Sequence, residues 1–249
     1  MVTLNETNAS ILHHVGLYRV VTRTTVATVL PEGSEPDKRL GKLVKDGLLR
    51  VHKGLAGNRS VYQLTKKGAG VTNVSPARGR VIGAQSLLKN LGVLLFCHVP
   101  GMNRHRVEAD ELGKAMGTEL PDCAYCLCQI RGITVIFDTY VPGSQTPIPT
   151  ILRHLKKQLR VAKKVPALAG AIKDLRYGFA LIVPTKQRRK AIMDAVRTRG
   201  EDEKVPLIKR VRIWVEAIEE LGAVCGTAVP RLGSVTGGTE QTLLWTDLQ

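Results

Sequence analysis

Glu111, Asp122 and Asp138 fall in the order predicted helix, predicted strand start and predicted next strand. Carboxylates delivered from successive elements can hold a divalent metal through oxygen ligands. The plainer expectation is that Asp122 begins a strand after Pro121 and that Asp138 is a surface or pairing residue. A second set is made of sulfur: Cys123, Cys126 and Cys128, with Cys97-His98 upstream. Thiolate and imidazole suit zinc. A Cys-x-x-Cys within a strand lacks the usual knuckle turn, however, and Cys126 and Cys128 share one strand face by the period of two. Free cysteine is among the most buried residue types. Core packing, with no bound metal, is therefore expected.

The third set is cationic. Lys38, Arg39, Lys42 and Lys45 lie on one predicted helix. A helix fits the major groove of duplex DNA, its first half meeting base edges while flanking cations hold phosphates. Lys38 and Lys42 are the first choices for direct contact, whereas Arg39 is as readily an intradomain ion-pair partner. Arg59, next to Asn58 at a predicted hairpin tip, is placed to enter a minor groove. On another predicted helix Arg153, Lys156, Lys157, Arg160 and Lys164 share a broad face opposite Ile151, Leu152, Leu155 and Leu159. Lys186, Arg188, Arg189 and Lys190 extend that charge. Residues 153–190 carry 12 basic residues against one acid, Asp174, a net of +11; residues 1–75 carry 11 against 5, a net of +6.

Bulk composition agrees with a polyanionic partner. The chain has 249 residues, 37 Lys and Arg against 21 Asp and Glu, and a formal charge of +16. Such a balance favours nucleic acid or an anionic surface. The basic helix has no Trp or Phe on its apolar face, so packing onto a domain is expected rather than insertion in lipid. Aromatic residues make up only 4 %, which argues against a single-strand stacking platform. No stretch reaches the roughly 18 apolar residues that span a bilayer. The first residues lack the pattern of a signal peptide. The odd count of five Cys does not make a disulfide framework, and a cytoplasmic location fits. There is no Walker loop and no nucleophile elbow.

The elements that must position these residues are legible in part. Ile11, Leu12, Val15 and Tyr18 recur at helical spacing over residues 9–21, and Thr22 reads as the N-cap of a short helix over 23–30. Ser34-Glu35-Pro36-Asp37 reads as a capping box with Ser34 at the N-cap. Its helix continues through Asp46 and stops at Gly47, with Leu40, Leu43 and Val44 inward. Strands are expected at 48–53 and 60–65, with a Gly- and Asn-rich turn between. Residues 73–79 read as a linker and 81–99 as a long packing helix that caps the second domain. Beyond it come a helix over 106–116, strands over 123–130 and 133–140, a basic helix over 150–164, a buried strand over 178–183, and helices over 187–198 and 211–221. Strands alternating with helices suggest an α/β layer.

Helix, helix, helix, hairpin is the winged-helix order. The run Arg39 to Leu49 (Arg-Leu-x-x-Leu-x-x-x-Gly-Leu-Leu) followed by Tyr62 to Gly68 (Tyr-x-Leu-Thr-x-x-Gly) resembles the winged-helix pattern of many bacterial regulators. The order and spacing also resemble the replication-relaxation family of bacterial mobile-element proteins. The placement of Glu111, Pro121-Asp122 and Asp138 is similar to the PD-(D/E)xK nuclease layout, in which a lysine two residues after the last acid steadies the attacking water. Here Asp138 is followed by Thr139-Tyr140, so the catalytic lysine is missing.

The expected fold is α+β: a winged helix-turn-helix over 1–73, a linker over 74–80, and a mixed α/β domain over 81–249 resembling a nuclease core without its full catalytic motif. The resemblance implies a non-catalytic protein of a plasmid or other mobile element, acting in replication, mobilisation or their regulation. Double-stranded DNA is the expected partner, with a homodimer and replication or mobilisation proteins as further ones and no membrane. One alternative is an Mg²⁺-dependent nuclease using Glu111, Asp122 and Asp138. Another is a transcriptional repressor whose second domain dimerises or senses a ligand. With both basic zones on one duplex, log K should fall against log salt with a slope of about −6 or steeper, at about −0.9 per neutralised phosphate.

Overall fold

Asn5 takes an extended backbone and its side chain accepts from the Asn8 amide, capping α1 (Glu6–Tyr18). The computed structural model describes residues 5–55, 59–198 and 206–224, which form a mixed α+β fold with two sheets. The helix stops short of the expected residue 21 because Arg19 turns left-handed at φ 67. Val20 and Val21 are then buried in extended backbone, and β1 (Val21–Thr22) begins. Thr22 caps α2 (Arg23–Ala27) through a reciprocal pair of bonds with Thr25. In α3 (Pro36–Lys45) the cap position belongs to Glu35, not Ser34, and no side chain closes it. The residue before a proline is driven to extended backbone, and Pro36 at the first helical position has no N–H to satisfy. Gly47, at φ 70, ends the helix and sends Leu48 back toward it.

Two antiparallel strands follow, β2 (Leu49–Leu55) and β3 (Arg59–Leu64), and β1 joins them in the order β1-β3-β2. Thr65 then caps α4 (Lys66–Val71), a helix the periodicity did not mark. Its Gly68 is required by close approach: a Cβ there would stand 2.1 Å from the Leu48 carbonyl oxygen. The segment expected as a linker holds a 3₁₀ turn, Pro76–Gly79, laced to its surroundings. The Arg78 guanidinium donates to the carbonyls of Gly16 and Leu17, Arg50 donates to the Gly79 carbonyl at 2.7 Å, and Gln63 donates to that of Arg80.

The apolar helix α5 (Ala84–Cys97) leads into β4 (Arg104–Val107) and α6 (Ala109–Met116). The helix expected from residue 106 begins three residues later, because Arg106 and Val107 pair with Cys126 and Tyr125 as strand. Then come β5 (Tyr125–Ile130), β6 (Ile133–Tyr140), α7 (Ile148–Ala162), α8 (Pro166–Lys173), β7 (Tyr177–Val183), α9 (Lys186–Arg197), β8 (Arg212–Ala217) and α10 (Glu219–Val224). The helix expected over 211–221 is a strand followed by a short helix. Val211, Ile213 and Val215 alternate with Arg212, Trp214 and Glu216, and the strand pairs in parallel with β7 from Gly178 to Val183. The five strands run β4-β5-β6-β7-β8, antiparallel from β4 to β6 and parallel from β6 to β8.

Alternation along these strands sorts the interior into two cores. Cys126, Cys128, Val135, Phe137, Ala180 and Ile182 face α5 and the N-terminal helices. Tyr125, Ile136, Phe179, Leu181, Val183 and Val215 face α7, α8 and α9. The first core is continuous from Ile11, Leu40 and Leu43 through Leu91 and Phe96 to the sheet, so α5 packs against both the N-terminal elements and the sheet. Arg104 of β4 meets Glu216 of β8 at 3.2 Å on that face. Four flat strand spacings would put these edge strands about 19 Å apart, so the sheet curls around the α5 side. Phe96 and Trp214 sandwich the Arg104 guanidinium at 3.9 and 4.6 Å from the ring centroids.

Candidate nucleic-acid interface

The α3 helix buries Leu40 and Leu43 completely and leaves Lys38, Lys42 and Lys45 exposed, with Arg39 half-buried. Residues 38, 42 and 45 recur at i, i+4 and i+7, so the three lysines form one stripe. Its first turn is not purely basic. Lys38 lies 3.7 Å from Glu35, and Arg23 of α2 lies 2.8 Å from Asp37, both pairs well exposed. Among the described residues Arg39, Lys42 and Lys45 make no ion pair, so the partnership expected for Arg39 is not formed. Arg59 opens β3 and is exposed; Asn58, beside it, lies outside the described residues. The positive groups that an anion would meet first are thus in the second half of α3 and at the hairpin, while carboxylates mark the helix start.

The second cationic surface lies on the other side of the five-stranded sheet. The α7 helix buries Ile151, Leu155, Leu159 and Ala162 beneath it and exposes Arg153, Lys157 and Arg160, with Lys156 half-buried and Lys163 and Lys164 exposed just past its end. Neighbouring α9 buries Ile192, Met193 and Val196 and exposes Lys186 and Lys190. Arg188 is spent on architecture, donating to the carbonyls of Gly143 and Thr146.

The three carboxylates do not converge. Glu111 and Asp122 are exposed, Asp122 in a bend ahead of β5 rather than at its first residue, while Asp138 is 6 % exposed on the face toward α7. Among the described residues no group of three or more His, Cys, Asp and Glu side chains is placed to hold a metal ion, so the residues present do not fit Mg²⁺ coordination. Burial pushes Asp138 up to about 6, against a hydrogen bond with the Cys123 thiol and the nearby Lys89 ammonium, which favour the carboxylate. Tyr140, at the position where the nuclease layout has lysine, stacks on His154 at 4.2 Å.

The cysteines separate as the period of two requires. Cys126 and Cys128 are buried toward α5, with the Cys126 and Cys97 sulfurs 3.6 Å apart, while Cys123 meets Asp138 on the opposite face. Sequence reasoning missed a buried ionic junction. Glu108 sits 3.0 Å from Arg78 and 3.1 Å from Arg106, and Arg106 also donates to the Tyr18 carbonyl and to Asn90 of α5. Beside it His14, Tyr18 and His98 pack ring to ring at 4.8–5.1 Å. Burial holds His14 down to about 4, with His98 and His13 adding to the effect. A Pro-Ala-Arg-Gly stretch carries no periodic signal that would have revealed Arg78. Compared with family models, curated proteins and solved structures, the chain matches none.

Proposed function

We propose that the chain is a duplex-DNA-binding protein whose α1–β3 segment acts as a winged helix-turn-helix, with α3 in the major groove and the β2–β3 hairpin as the wing. The observation that carries this reading is the α3 stripe. Lys42 and Lys45 face solvent without an acidic partner among the described residues, on a helix whose opposite side is fixed in the core by Leu40 and Leu43. Phosphate contacts from such a stripe set the register of a protein on DNA, and only base contacts give sequence preference. Glu35 and Asp37 at the helix start suit the second task, since a carboxylate accepts from the cytosine amino group and repels phosphate elsewhere.

The α/β part supports a nuclease-like core that works without cleavage. An antiparallel β4-β5-β6 meander, a crossover through α7, and β7 parallel to β6 agree with that layout. The dispersed carboxylates and Tyr140 do not favour catalysis. The motif resemblance adds a role in replication or mobilisation of a mobile element. The test is fluorescence anisotropy with a random-sequence duplex, comparing a chain whose α7-side cations are reversed (R153E/K157E/R160E/K164E) with the same chain carrying K42E/K45E as well, so that only the α3 side reports. Loss of more than about tenfold in affinity is expected from two abolished phosphate contacts. Unchanged affinity would refute the assignment of α3.

A further inference from the structure

The cations of α7 and α9 cannot reach the duplex that α3 holds. The five-stranded sheet lies between: α3 belongs to the core on the α5 side, while α7 and α9 cover the reverse face. The two groups also approach different edges, α1 packing on β4 and α9 on β7 and β8. Duplex DNA keeps its direction over about 150 base pairs, so one short duplex does not wrap from one face of a domain to the other.

The reverse face has its own geometry. Arg153, Lys157 and Arg160 follow one another at steps of four and three residues, so they line one side of α7, and Lys164 is exposed in the turn just past its end. At a rise of about 1.5 Å per residue the three helical positions span about 10 Å. That length matches about three successive phosphate steps of one strand, which advance about 3.4 Å each along the duplex. No acidic residue occurs between Ile148 and Lys173, and among the described residues none of the four cations makes an ion pair. Lys186 and Lys190 of α9 widen the surface. The apolar stripe of α7 is spent on the core and is not available to enter lipid. Among the described residues this face also offers no exposed aromatic side chain on which unpaired bases would stack.

We propose that this face is a second, sequence-independent duplex-DNA surface, so that one chain holds two DNA segments at once, one on each side of the sheet. The inference rests on the reading of α3 as the first surface. It is tested by bridging: a bead-bound duplex, the full-length protein at limiting concentration, and a second, fluorescent duplex whose retention on the beads is measured. An R153E/K157E/R160E/K164E variant, checked for unchanged melting, should bind a single duplex within about threefold of wild type. Its affinity for the second duplex should fall by more than about a thousandfold near 0.1 M salt, as four lost phosphate contacts dictate. The K42E/K45E variant should also lose bridging, through the other surface.

Bridging that persists in the α7 variant would overturn the inference and assign bridging to association between chains. Wild-type protein that binds one duplex but captures no second would likewise overturn it while leaving the proposed function intact. A K42E/K45E variant that binds and bridges like wild type would overturn the reading of α3 and the two-surface arrangement built on it.

Discussion

Salt dependence measures how many phosphates a single duplex meets, and the structure supplies a number. On the α3 side Arg39, Lys42, Lys45 and Arg59 make no ion pair among the described residues, while Lys38 is occupied by Glu35 at 3.7 Å. Four phosphates neutralised at about −0.9 each give a slope of log K against log salt of about −4. Lys38 would steepen it by about one if DNA displaced Glu35. The slope of about −6 or steeper expected from the sequence requires both basic zones on one duplex, an arrangement that the two-surface proposal excludes. In a chain whose α7-side cations are reversed, so that only α3 reports, truncating Lys42 to Ala should flatten the slope by about one and weaken binding about eightfold near 0.1 M salt, the factor one released counterion supplies. Glu35→Gln should act in the opposite sense, tightening binding several-fold at low salt by freeing Lys38 and removing a carboxylate from the groove. Anisotropy titrations of a duplex of about 20 base pairs across a salt series read all three. A wild-type slope of about −7 or steeper would show that one duplex touches both faces and would refute the sheet-as-barrier argument. An unchanged slope in Lys42→Ala would remove α3 from the interface.

The remaining predictions concern the scaffold. Replacing Glu108 by Gln leaves Arg106, 5 % exposed, without its counter-charge. A broken buried pair costs about 3 kcal/mol, and a chain of this size loses roughly 2–4 °C per kcal/mol; a melting temperature within about a degree of wild type would refute the junction's role. Gly68→Ala drives a methyl against the Leu48 carbonyl and should cost about 1–3 kcal/mol as overpacking, read as a shift in the denaturant midpoint. His14 is held at about 4 in the folded chain against 6.5 unfolded, so it contributes stability above pH 6.5 that is lost as pH falls through 4. His14→Phe should flatten that part of the stability profile, and an unchanged profile would sink the idea. Asp138 has the opposite sign: raised from 3.8 to about 6, it is best tolerated when protonated and costs stability as pH rises through 6. Asp138→Asn should therefore raise the melting temperature at pH 7.5 more than at pH 4.5, and equal effects at both would refute it.

What the sequence reveals of this molecule follows the range of the forces involved. The α3 helix was legible because Leu40, Leu43 and the lysines are set by local spacing and Gly47 by a local backbone need. The wrong cap, Ser34 for Glu35, came from weighing a side-chain preference above the backbone constraint that Pro36 imposes. The separation of Cys126 and Cys128 from Cys123 was visible in the period of two. The β8 strand was misread because residues 211–221 contain apolar positions that satisfy both periods. Only the parallel pairing with β7, more than thirty residues earlier in the chain, decides between them. Nothing local marks Arg78, whose partners Gly16 and Glu108 lie far away on either side.

The same distinction bears on function. Charge counting found both basic zones, because charge is a property of residues. It could not say whether they form one surface or two, because that is decided by which core each helix buries. Leu40 and Leu43 enter the core that contains Phe96 and Phe137; Leu155 and Leu159 enter the one that contains Phe179 and Val215. The alternation of β6 and β7 keeps the cores apart, and the Arg78–Glu108–Arg106 junction ties the N-terminal elements to the α5 side of the sheet. A flexible tether over 74–80 would have let both zones swing onto one duplex and sum their contacts. The laced 3₁₀ turn is no such tether, so on the proposed reading the two basic zones serve separate surfaces instead of summing on one duplex.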